Sequence, residues 1–221
     1  MTDTTGRDRF PRLRILIPAR GGSTRIPHKN LQELTPGKTL LAWTLELFSA
    51  LLPGVPITIA TEDHETNKIA LEHGCELHGR TLDDIQDNRD CYGIFRDVMD
   101  CYPDAEVLLT GCTSPFLYRS ELELALANPL PYVYSAYTGA LHTAATGDQK
   151  SQDIAPSTIL TGNFFLARQP WLRRHQPAIW SHPAFASPVS WESATDINTP
   201  ADLDSARRLA RGLTLDVLLN N

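Results

Sequence analysis

Three cationic side chains lie close together near the start of the chain, in a segment that also contains two consecutive glycines. Arg20, Arg25 and Lys29 fall within ten residues, and Gly21 and Gly22 carry no side chain over their backbone N–H groups. Cations and accessible backbone N–H groups together bind phosphate oxygens. Because the whole chain has a net charge of −6, solubility does not explain this local positive charge. The pattern predicts a phosphate-binding loop.

Charge is distributed unevenly along the chain. Residues 1–38 contain eight Lys or Arg and three Asp or Glu, whereas the remainder contains twelve and twenty-three. The acidic remainder argues against a nucleic acid or an anionic membrane as the partner. On composition alone, a surface loop with solvated charges stays open as an alternative for the basic segment.

Two common phosphate-binding motifs do not match this segment. Residues 37–39, Gly-Lys-Thr, match the end of a P-loop, but the first glycine of that motif would fall at Gln32. The glycines at 21–22 are not followed by the third glycine of a dinucleotide fingerprint. The loop therefore follows neither pattern.

The surrounding elements alternate between strands and helices. Short apolar runs predict strands at 13–18, 55–60, 75–78, 105–110 and 132–136. Helical spacing and end signals predict helices at 39–52, 64–73, 90–102, 120–127 and 200–211. This alternation predicts a single-domain α/β fold, Rossmann-like and doubly wound around a mostly parallel sheet. Such sheets bind ligands at the carboxyl ends of their strands, which is where the cationic loop falls.

Composition limits the class of protein. The 221 residues are 42% hydrophobic and 21% charged, which is sufficient for one core. No apolar run approaches the roughly 18 residues of a membrane span, and the N-terminal segment lacks the apolar stretch of a secretory signal. The four cysteines show no C-x-x-C spacing. We therefore expect reduced thiols and a cytoplasmic location, with no membrane partner.

The residue order over the cationic loop resembles that of a known enzyme family. Residues 17–30, Ile-Pro-Ala-Arg-Gly-Gly-Ser-x-Arg-Ile-Pro-x-Lys-Asn, with Gly-Lys-x-Leu-Leu-Ala-Trp-Thr-Leu at 37–45, resemble the CMP-sugar synthetases, the CMP-sialic acid synthetase group of cytidylyltransferases. Three later segments resemble further motifs of that family: Thr-Ser-Pro at 113–115, Thr-Gly-Asn-Phe-Phe at 161–165 and Asp-Ile-Asn-Thr-Pro at 196–200. The resemblance is weaker in the middle of the chain.

The resemblance implies a fold, an activity and an organisation. The fold is of the nucleotide-diphospho-sugar transferase type. The activity is transfer of CMP from CTP to a small acidic acceptor, a sugar acid or a phosphonate, with Mg²⁺ present and pyrophosphate released. We expect a mobile N-terminal tail over 1–12, a nucleotidyltransferase domain over 13–212 with an acceptor-side loop at 138–160, and a C-terminal tail over 213–221. The resemblance implies a homodimer. We expect no nucleic-acid partner.

The resemblance also assigns roles to individual residues. Arg20 and Lys29 are implied to be catalytic contacts to the triphosphate, and Asn30 to read the base or ribose. The implied nucleotide-binding set is Ala19, Arg20, Gly21, Gly22, Ser23, Arg25, Lys29, Asn30 and Arg80. For Arg80, pairing with the nearby acids at 83–84 stays open. The family commonly has Lys directly after the serine, where this chain has Thr24 and then Arg25.

Asp196 and Asn198 are the metal ligands that the resemblance implies. The family pairs two aspartates at these positions, and here the second is an asparagine, which offers a carbonyl oxygen but no charge. Mg²⁺ uses few carboxylates and retains waters. Asp202 is an alternative second ligand or a charge in the first turn of the last predicted helix.

The acceptor side departs most from the family. Gly111 stands where the family has Gln, Thr161 stands where it has Asn, and Lys150 is the only Lys or Arg between residues 120 and 167. We therefore predict an acceptor other than sialic acid. Candidate acceptor contacts are Thr113, His142 and Thr161, followed by Tyr137, Arg168 and Trp171, which have structural alternatives. Two other functions stay open: use of a different nucleoside triphosphate, or an inactive nucleotide-binding regulatory protein.

Overall fold

The structure is a computed structural model that describes residues 6–80, 94, 97, 98, 100–139, 156–168 and 185–221. Nine strands lie in these residues: β1 Leu13–Pro18, β2 Glu33–Thr35, β3 Lys38–Thr39, β4 Ile57–Thr61, β5 Glu76–Gly79, β6 Glu106–Leu109, β7 Tyr132–Gly139, β8 Ser157–Ala167 and β9 Phe185–Pro188. Seven of them form one sheet in the order β5-β4-β1-β6-β8-β7-β9, and β2 pairs with β3 in a hairpin. The described part of the chain therefore has one principal sheet.

The sheet is mostly parallel, as predicted. Strands β1, β4, β5 and β6 run in the same direction. Strand β8 runs against both of its neighbours, β6 and β7, and β7 is again parallel to β9. Strand β1 lies inside the sheet between β4 and β6, and its Ile15, Leu16 and Ile17 have no exposed surface. A continuous apolar strand is expected where both faces of a parallel sheet are covered.

Six α-helices have both of their ends within the described residues. They are α1 Gly6–Arg9, α2 Leu40–Leu51, α3 His64–Glu72, α4 Arg119–Ala127, α5 Pro200–Leu209 and α6 Leu215–Asn220. Four of their starts have side-chain caps: Thr39 Oγ1 accepts from Ala42 N, Asp63 Oδ2 from Thr66 N, Thr199 Oγ1 from Asp202 N, and Thr214 Oγ1 from Val217 N. The predicted helices at 39–52, 64–73, 120–127 and 200–211 are confirmed to within two residues. Most of the predicted helix at 90–102 lies outside the described residues.

The two faces of the sheet bury separate clusters. Ile15 and Ile17 pack with α2 residues such as Phe48 in the larger cluster, whereas Leu16 packs on the other face with Ile94 and others. The alternation follows from the two-residue period of a strand. Both layers hold β1 rigidly, so the loop that follows Pro18 starts from a well-defined point.

The chain ends differ from the predicted tails. Residues 215–220 form α6, in which Leu218 is fully buried, and Arg119 Nε donates to Leu219 O at 2.9 Å. Near the N-terminus, Phe10 packs against the larger cluster. The apolar side chains of these short segments become buried only when the chain folds. Composition alone therefore does not predict that they belong to the core.

The predicted loop at 138–160 is partly strand. Thr138 and Thr158 pair across β7 and β8, and their hydroxyl oxygens lie 2.8 Å apart. The part between residues 140 and 155 lies outside the described residues. Among the described helices, none is long and apolar enough to cross a membrane.

Candidate active site

The cationic loop begins where β1 ends at the carboxyl edge of the sheet. Ala19 continues the pairing, because its N–H donates to Ala60 O at 2.9 Å, and buried Ile26 anchors the middle of the loop in the core. A 3₁₀ turn at Lys29–Leu31 closes the loop after His28, whose φ of 49° is left-handed. Arg20 is thereby left exposed at the edge.

Lys29 is the most enclosed of the three cations. It is half-buried, and its Nζ donates to Ile197 O at 2.8 Å. Burial lowers the pKa of Lys29, Asp196 opposes that shift, and Arg25 and Arg20 add to it. The three cations and Asp196 therefore share one electrostatic environment.

Arg25 reaches the same C-terminal segment through a different group. Its Nη2 donates to Asn198 Oδ1 at 3.0 Å, and Asn198 Nδ2 donates to Asp196 Oδ2 at 2.5 Å. We call Arg20, Arg25 and Lys29, together with residues 196–198, the cationic rim. Segments about 170 residues apart in the sequence thus form one surface.

Residues 196–198 are held in place by their neighbours. Ile197 is fully buried, and its N–H donates to Thr113 O at 2.9 Å. Asp202 Oδ2 accepts from the N–H groups of Asn198 and Thr199 at 3.0 and 2.7 Å. These hydrogen bonds lower the pKa of Asp202. Asp202 is therefore the first-turn cap of α5, and its Oδ2 is not available as a second metal ligand.

Gly21 makes a contact that the local sequence does not predict. Its N–H donates to Glu62 Oε1 at 2.7 Å, so the group expected to meet a phosphate already binds a carboxylate. A Cβ at Gly21 would lie 2.9 Å from Asp63 Cβ, which only glycine avoids. The signal available in the sequence was the acidic pair directly after β4, at the same edge of the sheet as the loop.

The remaining predicted nucleotide contacts divide into two groups. Gly22 has open space around its Cα, and Arg80 follows β5 at the same edge, where its N–H lies 3.4 Å from Thr61 O. Asn30 instead braces the loop, since its Nδ2 donates to Arg20 O at 3.1 Å. Ser23 Oγ accepts from Ile26 N at 3.4 Å, and Ala19 is fully buried. Their side chains hold the loop conformation.

A cleft of about 300 Å³ adjoins the cationic rim. Its lining includes Gly111, Thr113, Thr161, Gly162 and Asp196. A larger cavity of about 420 Å³ lies between the β2–β3 hairpin and the end of α5, but it contains none of the rim's cations. Two predicted acceptor contacts and the predicted metal ligand therefore share one cleft. His142 and Trp171 lie outside the described residues.

The turn that carries Thr113 is fixed by the core. Trp43 Nε1 donates to Pro115 O at 2.7 Å, so α2 positions the turn. Cys112 is buried, and burial raises the pKa of its thiol to about 12. The thiol is neutral at physiological pH and is not a candidate nucleophile.

Thr161 belongs to a hydrogen-bonded group that we call the bulge network, formed by Ser135, Thr161 and Asn163 where the β7–β8 register shifts. The Thr161 hydroxyl lies 2.7 Å from Ser135 Oγ and 2.8 Å from Asn163 Oδ1. Asn163 Nδ2 donates to Phe116 O at 2.9 Å and to Ser193 O. The side chain of Thr161 is thus already engaged within the protein.

Arg168 does not lie at the acceptor cleft. Its guanidinium donates to Leu126 O at 3.0 Å and Leu130 O at 2.6 Å, and it pairs with Glu106 at 3.4 Å. Glu106 begins β6, so this arginine lies at the amino edge of that strand, whereas the cleft lies beyond its carboxyl end. Tyr137, the other described candidate, packs against the larger core cluster. Both side chains have structural contacts.

Comparison with known proteins finds cytidylyltransferases that are similar to parts of this chain. A pseudaminic acid cytidylyltransferase from Campylobacter jejuni is 41% identical over 63 residues, 28% of this chain and 26% of that protein. An N-acylneuraminate cytidylyltransferase from Oncorhynchus mykiss is 26% identical over 125 residues, 54% of this chain and 29% of that protein. The chain therefore spans less than a third of either curated relative.

A solved structure shares the fold over almost the whole chain. It is a CMP:2-keto-3-deoxy-manno-octonic acid synthetase complexed with CTP, with a TM-score of 0.67, 18% identity, and coverage of 91% of this chain and 100% of that one. At that identity the likeness shows the fold alone. The family model described as "Cytidylyltransferase" matches residues 14–143, which are more than half of this chain. The chain therefore belongs to the cytidylyltransferase family.

Proposed function

We propose that this protein transfers CMP from CTP to a small acidic acceptor, a sugar acid or a phosphonate, and releases pyrophosphate. One observation carries the proposal: Arg20, Arg25 and Lys29 meet Asp196 at the carboxyl edge of the sheet, beside an open cleft. A triphosphate and an acceptor would occupy these two adjoining regions. The sequence departures on the acceptor side support an acceptor other than sialic acid.

The cationic rim suits a triphosphate of roughly four negative charges. The guanidinium of Arg20 is exposed and donates no hydrogen bond to the described residues, and Arg25 uses one nitrogen on Asn198. Arginine offers five N–H donors in a planar fork, so most of them remain available for phosphate oxygens. Lys29, held by Ile197 O, supplies a localised charge. Together these residues would bind the triphosphate and stabilise the departing pyrophosphate.

We propose Mg²⁺ as the metal, held by Asp196 and the phosphates of the nucleotide. Among the described residues no group of three or more His, Cys, Asp and Glu could hold a metal ion. A single carboxylate fits Mg²⁺, which retains waters and takes substrate phosphates as ligands. Asn198 fits poorly, because its Oδ1 accepts from Arg25. When bound, the ion would neutralise charge on the phosphates.

The oligomeric state and the cellular location are also part of the proposal. We propose a homodimer, as the family resemblance implies; Ile159 and Leu160, which are 42% and 47% exposed on β8, would lie in that contact. Cys75 and Cys112 are buried, unpaired thiols, which supports a cytoplasmic location.

Thermal unfolding with CTP, UTP, GTP or ATP, each with Mg²⁺, tests the nucleotide. We expect CTP to stabilise the protein most, by about 2.7 kcal/mol at a hundred times its Kd. Equal or greater stabilisation by another nucleotide would contradict the choice of base. Pyrophosphate release with a panel of acidic sugars and phosphonates tests the acceptor. Sustained turnover with any member excludes the inactive regulatory alternative, and turnover with sialic acid contradicts the predicted exclusion.

A further inference from the structure

Both ends of the Asn198 side chain are engaged in the cationic rim. Its Nδ2 donates to Asp196 Oδ2 at 2.5 Å, and its Oδ1 accepts from Arg25 Nη2 at 3.0 Å. The two partners fix the orientation of the amide, since a carboxylate only accepts and a guanidinium only donates. The result is a continuous hydrogen-bonded chain from Arg25 to Asp196.

We infer that Asn198 is a positioning residue that attaches Arg25 to Asp196, and that residues 196–198 hold no divalent cation until a nucleotide brings one. The first claim, which we call the nucleotide half, is that Asn198 positions Arg25 for the nucleotide, and it rests on the proposed function. The second claim, which we call the metal half, is that residues 196–198 hold no divalent cation in the free protein, and it stands on the side-chain contacts alone.

The charges around Asp196 support the metal half. This carboxylate lies in the field of Lys29 and is linked through Asn198 to Arg25. One negative charge among two positive charges gives a divalent cation no net attraction, and at short range the cations repel it. Asp202, four residues on from Asn198, accepts two backbone N–H hydrogen bonds at its Oδ2. A nucleotide's phosphates would reverse this balance.

The hydrogen bond to Asn198 supports the nucleotide half. Arg25 is exposed, and a free arginine side chain loses rotamer entropy when it binds a ligand. Attachment to Asn198 restricts the guanidinium before the ligand arrives, while leaving other N–H donors for phosphate oxygens. Aspartate at position 198 would lose the donor to Asp196 and set two carboxylates side by side, which favours a cation instead.

Replacements at 198 and 25 test both halves. The variants are Asn198→Asp, Asn198→Ala, Arg25→Ala and the double alanine variant, with Asn67→Ala on α3 as a matched control. Mn²⁺ binding without nucleotide is followed by electron paramagnetic resonance, and CTP binding by calorimetry. We expect Asn198→Asp to bind free Mn²⁺ at least tenfold more tightly than the wild type. We expect each single alanine variant to bind CTP about tenfold more weakly, and the double variant to lose no more than either.

Three outcomes would overturn the inference. Wild-type protein that binds free Mn²⁺ as tightly as Asn198→Asp would show a preformed metal site. If the loss of CTP affinity in the double variant equals the product of the two single losses, Arg25 and Asn198 act separately. Alanine at 198 without any loss would show that Arg25 needs no attachment. If the wild type binds no CTP, the proposed function and the nucleotide half fail together, but the Mn²⁺ measurement still decides the metal half.

Discussion

The cationic rim and the bulge network are both rich in polar side chains, but they use their hydrogen-bonding capacity differently. In the rim, the guanidinium of Arg20 donates no hydrogen bond to the described residues, and Lys29 Nζ donates one, to Ile197 O. In the bulge network, Asn163 is buried and uses both its amide nitrogen and its amide oxygen. Groups with unused donors at an exposed edge can bind a ligand, whereas buried and fully paired groups hold the fold.

The same contrast separates two arginines. Arg25 is exposed at the carboxyl edge of the sheet and donates one hydrogen bond to Asn198. Arg168 lies near the start of β6 and contacts two backbone carbonyls and Glu106. Replacements in the two regions should therefore separate effects on binding from effects on stability, and the following measurements test that separation.

The largest effect is expected from Asn163→Ala. It leaves the carbonyls of Phe116 and Ser193 without the amide donor they now share, and each buried unsatisfied group costs about 1–3 kcal/mol. Urea unfolding should show a lower midpoint with an unchanged slope. Asn67→Ala on an outer helix is the control. An unchanged midpoint would mean that water replaces the amide and that the network does not stabilise the fold.

Lys29→Ala should affect ligand binding and spare the fold. Loss of a hydrogen bond to a charged partner costs about 1.5–3 kcal/mol, or roughly 10- to 100-fold in affinity. Calorimetry with CTP and Mg²⁺ measures the change, and Lys68→Ala, an exposed lysine on α3, is the matched control. If Lys29→Ala unfolds instead, the side chain is structural and the rim resembles the bulge network.

Because of Lys29, a rise in pH should weaken CTP binding but increase the free energy of unfolding. Burial lowers the pKa of this lysine, so its charge, and with it CTP affinity, is lost as pH rises through a value below the ordinary lysine range. Between the lowered and the ordinary pKa the unfolded chain binds more protons, so the free energy of unfolding rises with pH. Lys29→Arg should remove both trends. Parallel trends would contradict the assignment.

Glu62→Gln should strengthen triphosphate binding modestly. Glutamine retains an acceptor for Gly21 N–H but removes a negative charge from the loop, and a like charge at about 4 Å costs about 1 kcal/mol in water. We expect about fivefold tighter CTP binding by calorimetry, and no change for Glu65→Gln on α3. Weaker binding in Glu62→Gln would mean that the charge holds the loop in its binding conformation.

Arg168→Gln is expected to leave binding unchanged. Because this arginine contacts Leu126 O, Leu130 O and Glu106, its replacement should lower stability by about 1 kcal/mol without altering the KM for the acceptor. A raised acceptor KM at unchanged stability would restore Arg168 as a ligand contact and erase the contrast with Arg25.

Local patterns predicted five of the seven strands of the principal sheet, and the cationic loop, because their signals lie in neighbouring residues. Strand β1 contains the apolar run Ile15-Leu16-Ile17-Pro18, and the helix at 200–209 begins with a threonine cap and a proline. The C-terminal helix at 215–220 was predicted as a tail, since six residues are too few for a helical period to be distinct. Glu62 was missed because its partner, Gly21, lies 41 residues earlier.

The sequence by itself determined which groups are available: the cations after the first strand, the single carboxylate at Asp196 and the amide at Asn198. Only the tertiary structure decided which of them meet, because pairs such as Arg25 and Asn198 are separated by 173 residues and leave no periodic signal. It also decided which polar groups are already paired. That property depends on burial and on geometry within about 3 Å, which residue order does not encode locally.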